Sequence, residues 1–382
     1  MSKLLKHISA ALLAIASVAL IYIFQQNNLL DYYAETKPSK KSIQLQNDLE
    51  SGRIVMFGSS ELGRKHHKFI PENFFNKDLN LPLSAVGSGG HKEFCILTEI
   101  AAMDNAQTRD NARIIVVLSA GWFFGSHQGT EIPNFIKYVD TSMLTKLYFE
   151  SDVEDTYKIL VSQYVKEHIS DISHPSFIYR YAKSYNTIYN KRYWLEKLFL
   201  EKSLAKLKQD RNKTTPIQYT APTLNYEALR KKAIAVAKPS DNNPYGIIND
   251  VFTKKIKPKL AQGKFPYIMA SSPIDPYTHR EYKDFLALVN LLKNYKHKPL
   301  FIFIDSNPLA YVKNRESMFP VLDAIKDTLS KYNYGYLNMW TYDKSKYEIA
   351  SMVDQSHVGE LGWVRINKKI IEHFMPNTGV KQ

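Results

Sequence analysis

Three polar side chains, far apart in the chain, have the types and spacing of a nucleophile and its base. Ser60 ends the run Ile54-Val55-Met56-Phe57-Gly58-Ser59-Ser60, and Glu61-Leu62 opens a helix-compatible stretch. An apolar run, small residues and then a helix set a side chain at the carboxyl end of a parallel strand, where α/β proteins bind ligands. A serine at that helix N-terminus sits among backbone N–H groups and a dipole that favour negative charge, which suits a reaction passing through an oxyanion. Asp354-Gln355-Ser356-His357 lies near the other end of the chain. An Asp-x-x-His can orient and charge-stabilise its own histidine, which then acts as general base toward a distant serine. Taken singly, Gly58-Ser59-Ser60 is equally a turn with an N-cap, and Asp354 and His357 are equally polar loop residues. Ser59 is a rival nucleophile.

The elements that must position these residues alternate. Strands are expected over Ile54–Phe57, Leu83–Val86, Ile114–Leu118, Phe301–Ile304 and Tyr336–Met339, and helices over Lys92–Asn105, Ser317–Lys331 and Trp363–Phe374. Ile114–Leu118 is a continuous β-branched run of the kind buried on both faces. This alternation predicts an α/β fold, a parallel sheet between two helical layers. Gly87-Ser88-Gly89-Gly90 follows the second strand and forms a second lip of the site or a plain strand-to-helix turn. Asp305 and Asn307 follow the fourth strand and either bind substrate or make a turn. Residues of about 125–250 read as a helical insertion capping one end of the sheet. Tyr185, Tyr189, Lys191, Arg192, Tyr193, Trp194, Lys197, Phe199 and Lys202 give it a basic, aromatic stretch. Such a surface suits a polyanion, or is the solvated face of an amphipathic helix.

Lys3 and Lys6 precede an apolar run from Ile8 to Phe24. The expected arrangement is an uncleaved, single-pass transmembrane helix within residues 1–30, with a cytoplasmic N-terminus and the remainder extracellular. Residues 31–50 read as a polar stalk, and 51–382 as the globular domain. The net charge of +14 accommodates an anionic membrane or polymer. No zinc-finger spacing, RNP-like motif or arginine-rich arm supports nucleic acid. Cys95 is the single cysteine and falls on the apolar face of a helix, which suits a buried thiol. His66, His67 and His91 are scattered polar positions that read as surface. No clustered metal spacing, Walker loop or dinucleotide fingerprint appears, so no metal or cofactor is expected.

Together, Phe57-Gly58-Ser59-Ser60-Glu61-Leu62, Ser119-Ala120-Gly121-Trp122-Phe123 and His357-Val358-Gly359-Glu360-Leu361-Gly362-Trp363 resemble the DltD family, within the SGNH (GDSL-like) hydrolase superfamily. The resemblance implies a three-layer αβα catalytic domain. It implies Ser60 as nucleophile, in the register of the serine of Gly-Asp-Ser, with His357 as base and Asp354 as its orienting carboxylate. The backbone N–H of Ser60 and that of Gly89 or Gly90 would form the oxyanion hole. Where the family carries an asparagine or glutamine amide, this chain has Gly121, so that donor is missing. The implied activity is D-alanylation of lipoteichoic acid in Gram-positive bacteria through an O-D-alanyl-serine, with a membrane-bound O-acyltransferase and the D-alanyl carrier machinery as partners. An envelope esterase or thioesterase, or a non-catalytic scaffold, are the alternatives.

Overall fold

The computed structural model describes residues 7, 12–18, 38–124, 129–173, 175–185, 215–237 and 243–375. Among the described residues seven strands follow in chain order: β1 Ile54–Phe57, β2 Leu83–Val86, β3 Arg113–Ser119, β4 Tyr267–Ile268, β5 Leu300–Ile304, β6 Tyr311–Lys313 and β7 Gly335–Asn338. Five of them form one parallel sheet in the order β2-β1-β3-β5-β7, while β4 and β6 pair separately. Ile54 of β1 lies between Leu83 of β2 and Arg113 of β3. The chain therefore winds outward in one direction to β2 and in the other from β3 onward. That reversal leaves a crevice outside the carboxyl ends of β1 and β3, the usual ligand position in an open parallel sheet.

Alternate strand residues face opposite sides of the sheet. Ile54, Met56, Ile115, Val117, Leu300 and Ile302 share a core with Phe69, Phe74, Phe75 and the apolar face of helix Glu360–Phe374, including Trp363 and Ile370. On the other side, Phe301 meets Phe285 of helix Arg280–Leu291 edge-on, ring centroids 5.7 Å apart. Helices thus cover both faces, which is why β1, β3 and β5 are apolar nearly throughout.

The chain divides into two compact units, Met1–Ile43 with Asp140–Asp210, and Gln44–Val139 with Arg211–Gln382. The stretch expected to be a stalk is helical from Lys40 to Glu50. Its Leu45 and Leu49 are buried, so Gln44–Glu50 belong to the sheet-containing unit. Of the segment read as a helical insertion, the residues up to Val139 and from Arg211 onward lie in the sheet-containing unit. Helix Ile132–Tyr138 packs Phe135 against Phe94 at 5.9 Å. Tyr219 donates its hydroxyl proton to Pro82 O and accepts from Ile54 N–H, tying residues around 219 to the start of β1. Within the other unit, Tyr185 is fully buried, stacks near Tyr148 at 4.8 Å and donates to Asp155. It belongs to an aromatic core rather than to a basic surface. Tyr189, Lys191, Arg192, Tyr193, Trp194, Lys197, Phe199 and Lys202 lie outside the described residues.

Of the apolar run from Ile8 to Phe24, residues 12–18 are helical, and Leu12, Leu13, Ile15 and Val18 are exposed. Residues 8–11 and 19–24 lie outside the described ones. Among the described residues no helix is long and apolar enough to cross a membrane.

Candidate active site

β1 ends at Phe57, and the chain turns through Gly58 and Ser59 into a single 3-10 turn, Ser60–Gly63. The two serines divide sharply. Ser60 is exposed, whereas Ser59 is 4% exposed. The Oγ of Ser60 lies 2.9 Å from His357 Nε2. The other imidazole nitrogen, Nδ1, lies 3.0 and 2.9 Å from the two carboxylate oxygens of Asp354. The fold brings Ser60 to an Asp354–His357 pair almost three hundred residues further along the chain, in the serine–imidazole–carboxylate order that nucleophile activation requires.

Asp354 is 3% exposed and fully engaged. Its Oδ1 also accepts from the N–H groups of Ser356 and His357, each at 2.9 Å. Its Oδ2 pairs with the guanidinium of Arg64. Burial pushes the Asp354 carboxyl up, but the hydrogen bond and charge of His357, the Ser356 N–H and Arg64 hold it below its ordinary range. Arg64 also lies 3.3 Å from His357 Nδ1. It was not evident in sequence, although a residue four positions after Ser60 and one turn on is a place to look.

The loop bearing Asp354 and His357 is held from behind. Asn307 donates its amide to Asp354 O at 3.3 Å and to Tyr245 O at 2.9 Å, and its N–H donates to Gln355 O at 3.0 Å. Of the two alternatives for Asn307, the structure shows the turn, its Oδ1 accepting from Leu309 N–H at 2.9 Å and its carbonyl from Ala310 N–H at 3.0 Å, and adds the bonds to the Asp354 loop. Asp305 is turned away from the crevice, bonded to Arg315 at 2.8 Å and to the Thr341 N–H at 2.9 Å. Glu360, at the start of the last helix, accepts from the N–H groups of Lys68 and Phe69, both at 2.9 Å. That clamp fixes the loop carrying Arg64.

The glycine loop forms the second lip. Gly89 borders the nucleophile: a Cβ built on it would lie 4.0 Å from Ser60 Cβ. Gly90 does not share that role, because its N–H donates to Ser59 Oγ at 3.1 Å. Two of the histidines expected at the surface are buried. His91 is fully buried, with Nδ1 2.9 Å from Gly58 O and Nε2 2.9 Å from Glu99. It ties the turn after β1 to helix Glu93–Ala102. His67 is 5% exposed, and burial together with the charges of His66 and Arg64 lowers it to about 4. His66 is exposed as expected. Trp122 and Phe123 are packed, Phe123 stacking on Phe303 at 6.2 Å, and Cys95 is buried. Among the described residues no cluster of three His, Cys, Asp or Glu side chains is arranged to hold a metal ion.

Glu61 lies under the turn, 2% exposed, and its Oε1 accepts from Ser59 N–H at 2.5 Å. Burial pushes its carboxyl above the ordinary value of 4.5, and the N–H groups of Ser59 and Glu61 offset this only in part. Folding therefore favours protonated Glu61. Its stabilising contribution is complete at low pH and is lost as pH rises through the raised value. Glu61→Gln, which cannot ionise, should gain Tm relative to wild type as pH goes from about 4 to about 8. A Tm difference that stays flat across that range would contradict the assignment.

Over residues 32–375 the chain matches the family model described as DltD protein. The chain belongs to the DltD family. Protein DltD of Staphylococcus aureus (strain NCTC 8325 / PS 47) is 22% identical over 334 residues, covering 84% of this chain and 80% of its own. Protein DltD of Bacillus subtilis (strain 168) is 24% identical over 339 residues, covering 84% and 82%. The family match includes the Ser60 turn, the glycine loop and the Asp354–His357 loop, and agrees with the resemblance read from the motifs.

Proposed function

We propose that the protein is a membrane-anchored, extracellular serine acyltransferase acting in D-alanylation of lipoteichoic acid. The observation that carries this reading is the 2.9 Å approach of His357 Nε2 to exposed Ser60, with Nδ1 held on buried Asp354. His357 takes the Ser60 proton as Oγ attacks the acyl carbonyl of the donor. The tetrahedral oxyanion lies against the N–H groups of Ser60 and Gly89. Its collapse expels the leaving group, which takes the proton from His357, and leaves a D-alanyl ester on Ser60. An acceptor hydroxyl of the polymer then gives its proton to His357, attacks the ester carbonyl and releases Ser60, reprotonated by the imidazole. Asp354 keeps the imidazole in the required orientation throughout.

The anchor reading is supported by the lysines before the apolar run and by the exposed apolar side chains of residues 12–18. On this reading the donor arrives through a membrane-bound O-acyltransferase partner fed by the D-alanyl carrier machinery. The exposure of Ser60 favours a second reading, because water reaches the same carbonyl and would make the site an esterase or thioesterase. A competition assay between water and glycerol-phosphate acceptors separates the two.

The deciding experiment measures alanine ester in the envelope of cells making wild type or Ser60→Ala, at protein levels matched by immunoblot. Loss of the ester with Ser60→Ala is the expected result. Ester at the wild-type level would overturn the mechanism and leave a scaffold or a different substrate.

A further inference from the structure

We propose that Ser59 is the positioning residue of the oxyanion hole: its one hydroxyl bonds both ends of the Ser88–Gly90 segment and aims the Gly89 N–H at the acyl oxygen. The inference rests on the reading of Ser60 as nucleophile. Ser59 cannot share that task, since it is buried and its Oγ is already committed on both sides. It donates to Ser88 O at 3.3 Å and accepts from Gly90 N–H at 3.1 Å.

The geometry links those two bonds to the chemistry. Ser88 O and Gly89 N–H belong to one peptide group. A donor placed on the carbonyl polarises the group and strengthens its N–H as a donor. Among the described residues, no group accepts a hydrogen bond from Gly89 N–H. Gly89 is also the glycine that borders Ser60. The bond from Gly90 N–H fixes the next peptide, so the segment cannot rotate about Gly89. From the opposite side, Tyr138 donates to Gly89 O at 2.8 Å, and its oxygen lies 2.7 Å from Ser88 Oγ. His91 N–H also donates to Ser88 O, at 3.0 Å, and closes the Ser88–His91 turn; the Ser59 hydroxyl adds the bonds that tie this turn to the residue beside the nucleophile. A donor that must be oriented at the moment of reaction loses most of its value when it is free to turn. Serine is suited to the position because one oxygen both donates and accepts.

The test uses the full-length chain and a fluorophosphonate probe. Ser60 Oγ attacks phosphorus, fluoride leaves, and the serine proton passes to His357. The phosphoryl oxygen develops charge where the acyl oxygen would, so labelling reports on the hole. Ser59→Ala should lower the limiting labelling rate by about 10–100-fold, with little change in the probe concentration giving half that rate. Ser59→Cys, nearly isosteric and a weak donor and acceptor, should fall between the two and serves if the alanine variant does not fold. The pH profile of labelling should keep its midpoint, because His357 and Asp354 are untouched. A general loosening of the site would shift it. Mass spectrometry should find the label on Ser60 in every variant and none on Ser60→Ala. Wild-type labelling rates in Ser59→Ala or Ser59→Cys, or label on Ser59, would overturn the inference alone. A wild type that takes no label on Ser60 would overturn the nucleophile reading and this inference with it.

Discussion

Asp354→Asn is expected to slow acylation of Ser60 by about ten-thousand-fold while the chain still folds, the size of effect that follows when a triad histidine is left in the wrong tautomer. The carboxylate accepts from Ser356 N–H, His357 N–H, His357 Nδ1 and Arg64. Asparagine offers one oxygen and one NH2 group. If the oxygen keeps the two backbone donors, the NH2 group faces His357 Nδ1 and the Arg64 guanidinium. Nδ1 must then accept, so the ring proton moves to Nε2. An Nε2 that carries a proton cannot take one from Ser60. The labelling assay measures the rate, and near-UV circular dichroism checks the fold. A loss under about tenfold would remove Asp354 from its proposed role. Because the wild-type carboxyl is held below its ordinary range, its ionisation is complete well before neutrality. Any change in activity near pH 7 must then come from another group.

The second large effect is on the fold. Gly87→Ala is expected to destabilise the protein by about 3 kcal/mol, from backbone strain and overpacking together. Gly87 has φ +132, a conformation that side-chain-bearing residues rarely adopt. A methyl group there would overlap the Gly58 carbonyl oxygen and crowd His91 Nδ1 at 2.5 Å. Those are the atoms by which His91 ties the nucleophile turn down. The backbone cannot yield without moving Gly58, whose N–H is bonded to Val86 O at 3.1 Å. Thermal unfolding should show a Tm lower by roughly 4–5 °C. Gly89→Ala is the control: its methyl group has only Ser60 Cβ near it, at 4.0 Å, so it should unfold as wild type does. Equal Tm values for the two variants would contradict this account of the loop.

Both predictions fall where local sequence says least. The strands of the main sheet were legible to within one residue; for β1, β3 and β5 this is because short apolar runs between polar turns have no better alternative than a strand buried on both faces. Cys95 was placed correctly in the core because it falls in an apolar helical run. Polar residues were harder. Asp305 and Asn307 look alike after β5, yet one is paired with Arg315 and the other holds the Asp354 loop. His91 looks like a surface residue until its two partners, Gly58 and Glu99, converge on it. Tyr185 sits in a run of lysines and aromatics but turns into an aromatic core.

The candidacy of Ser60, with Ser59 as its rival, and of Asp354 and His357 was readable from the chain alone. Each lies in a short motif whose residue types, order and position suit one chemistry, and the motifs support one another. Which serine meets the imidazole, which glycine keeps a free N–H, and that Arg64 shares the carboxylate were settled by folding. Those facts depend on the direction of single hydrogen bonds between segments as much as 297 residues apart. No local pattern encodes such directions, because they follow from the parallel sheet setting the ends of β2, β1, β3 and β5 along one edge.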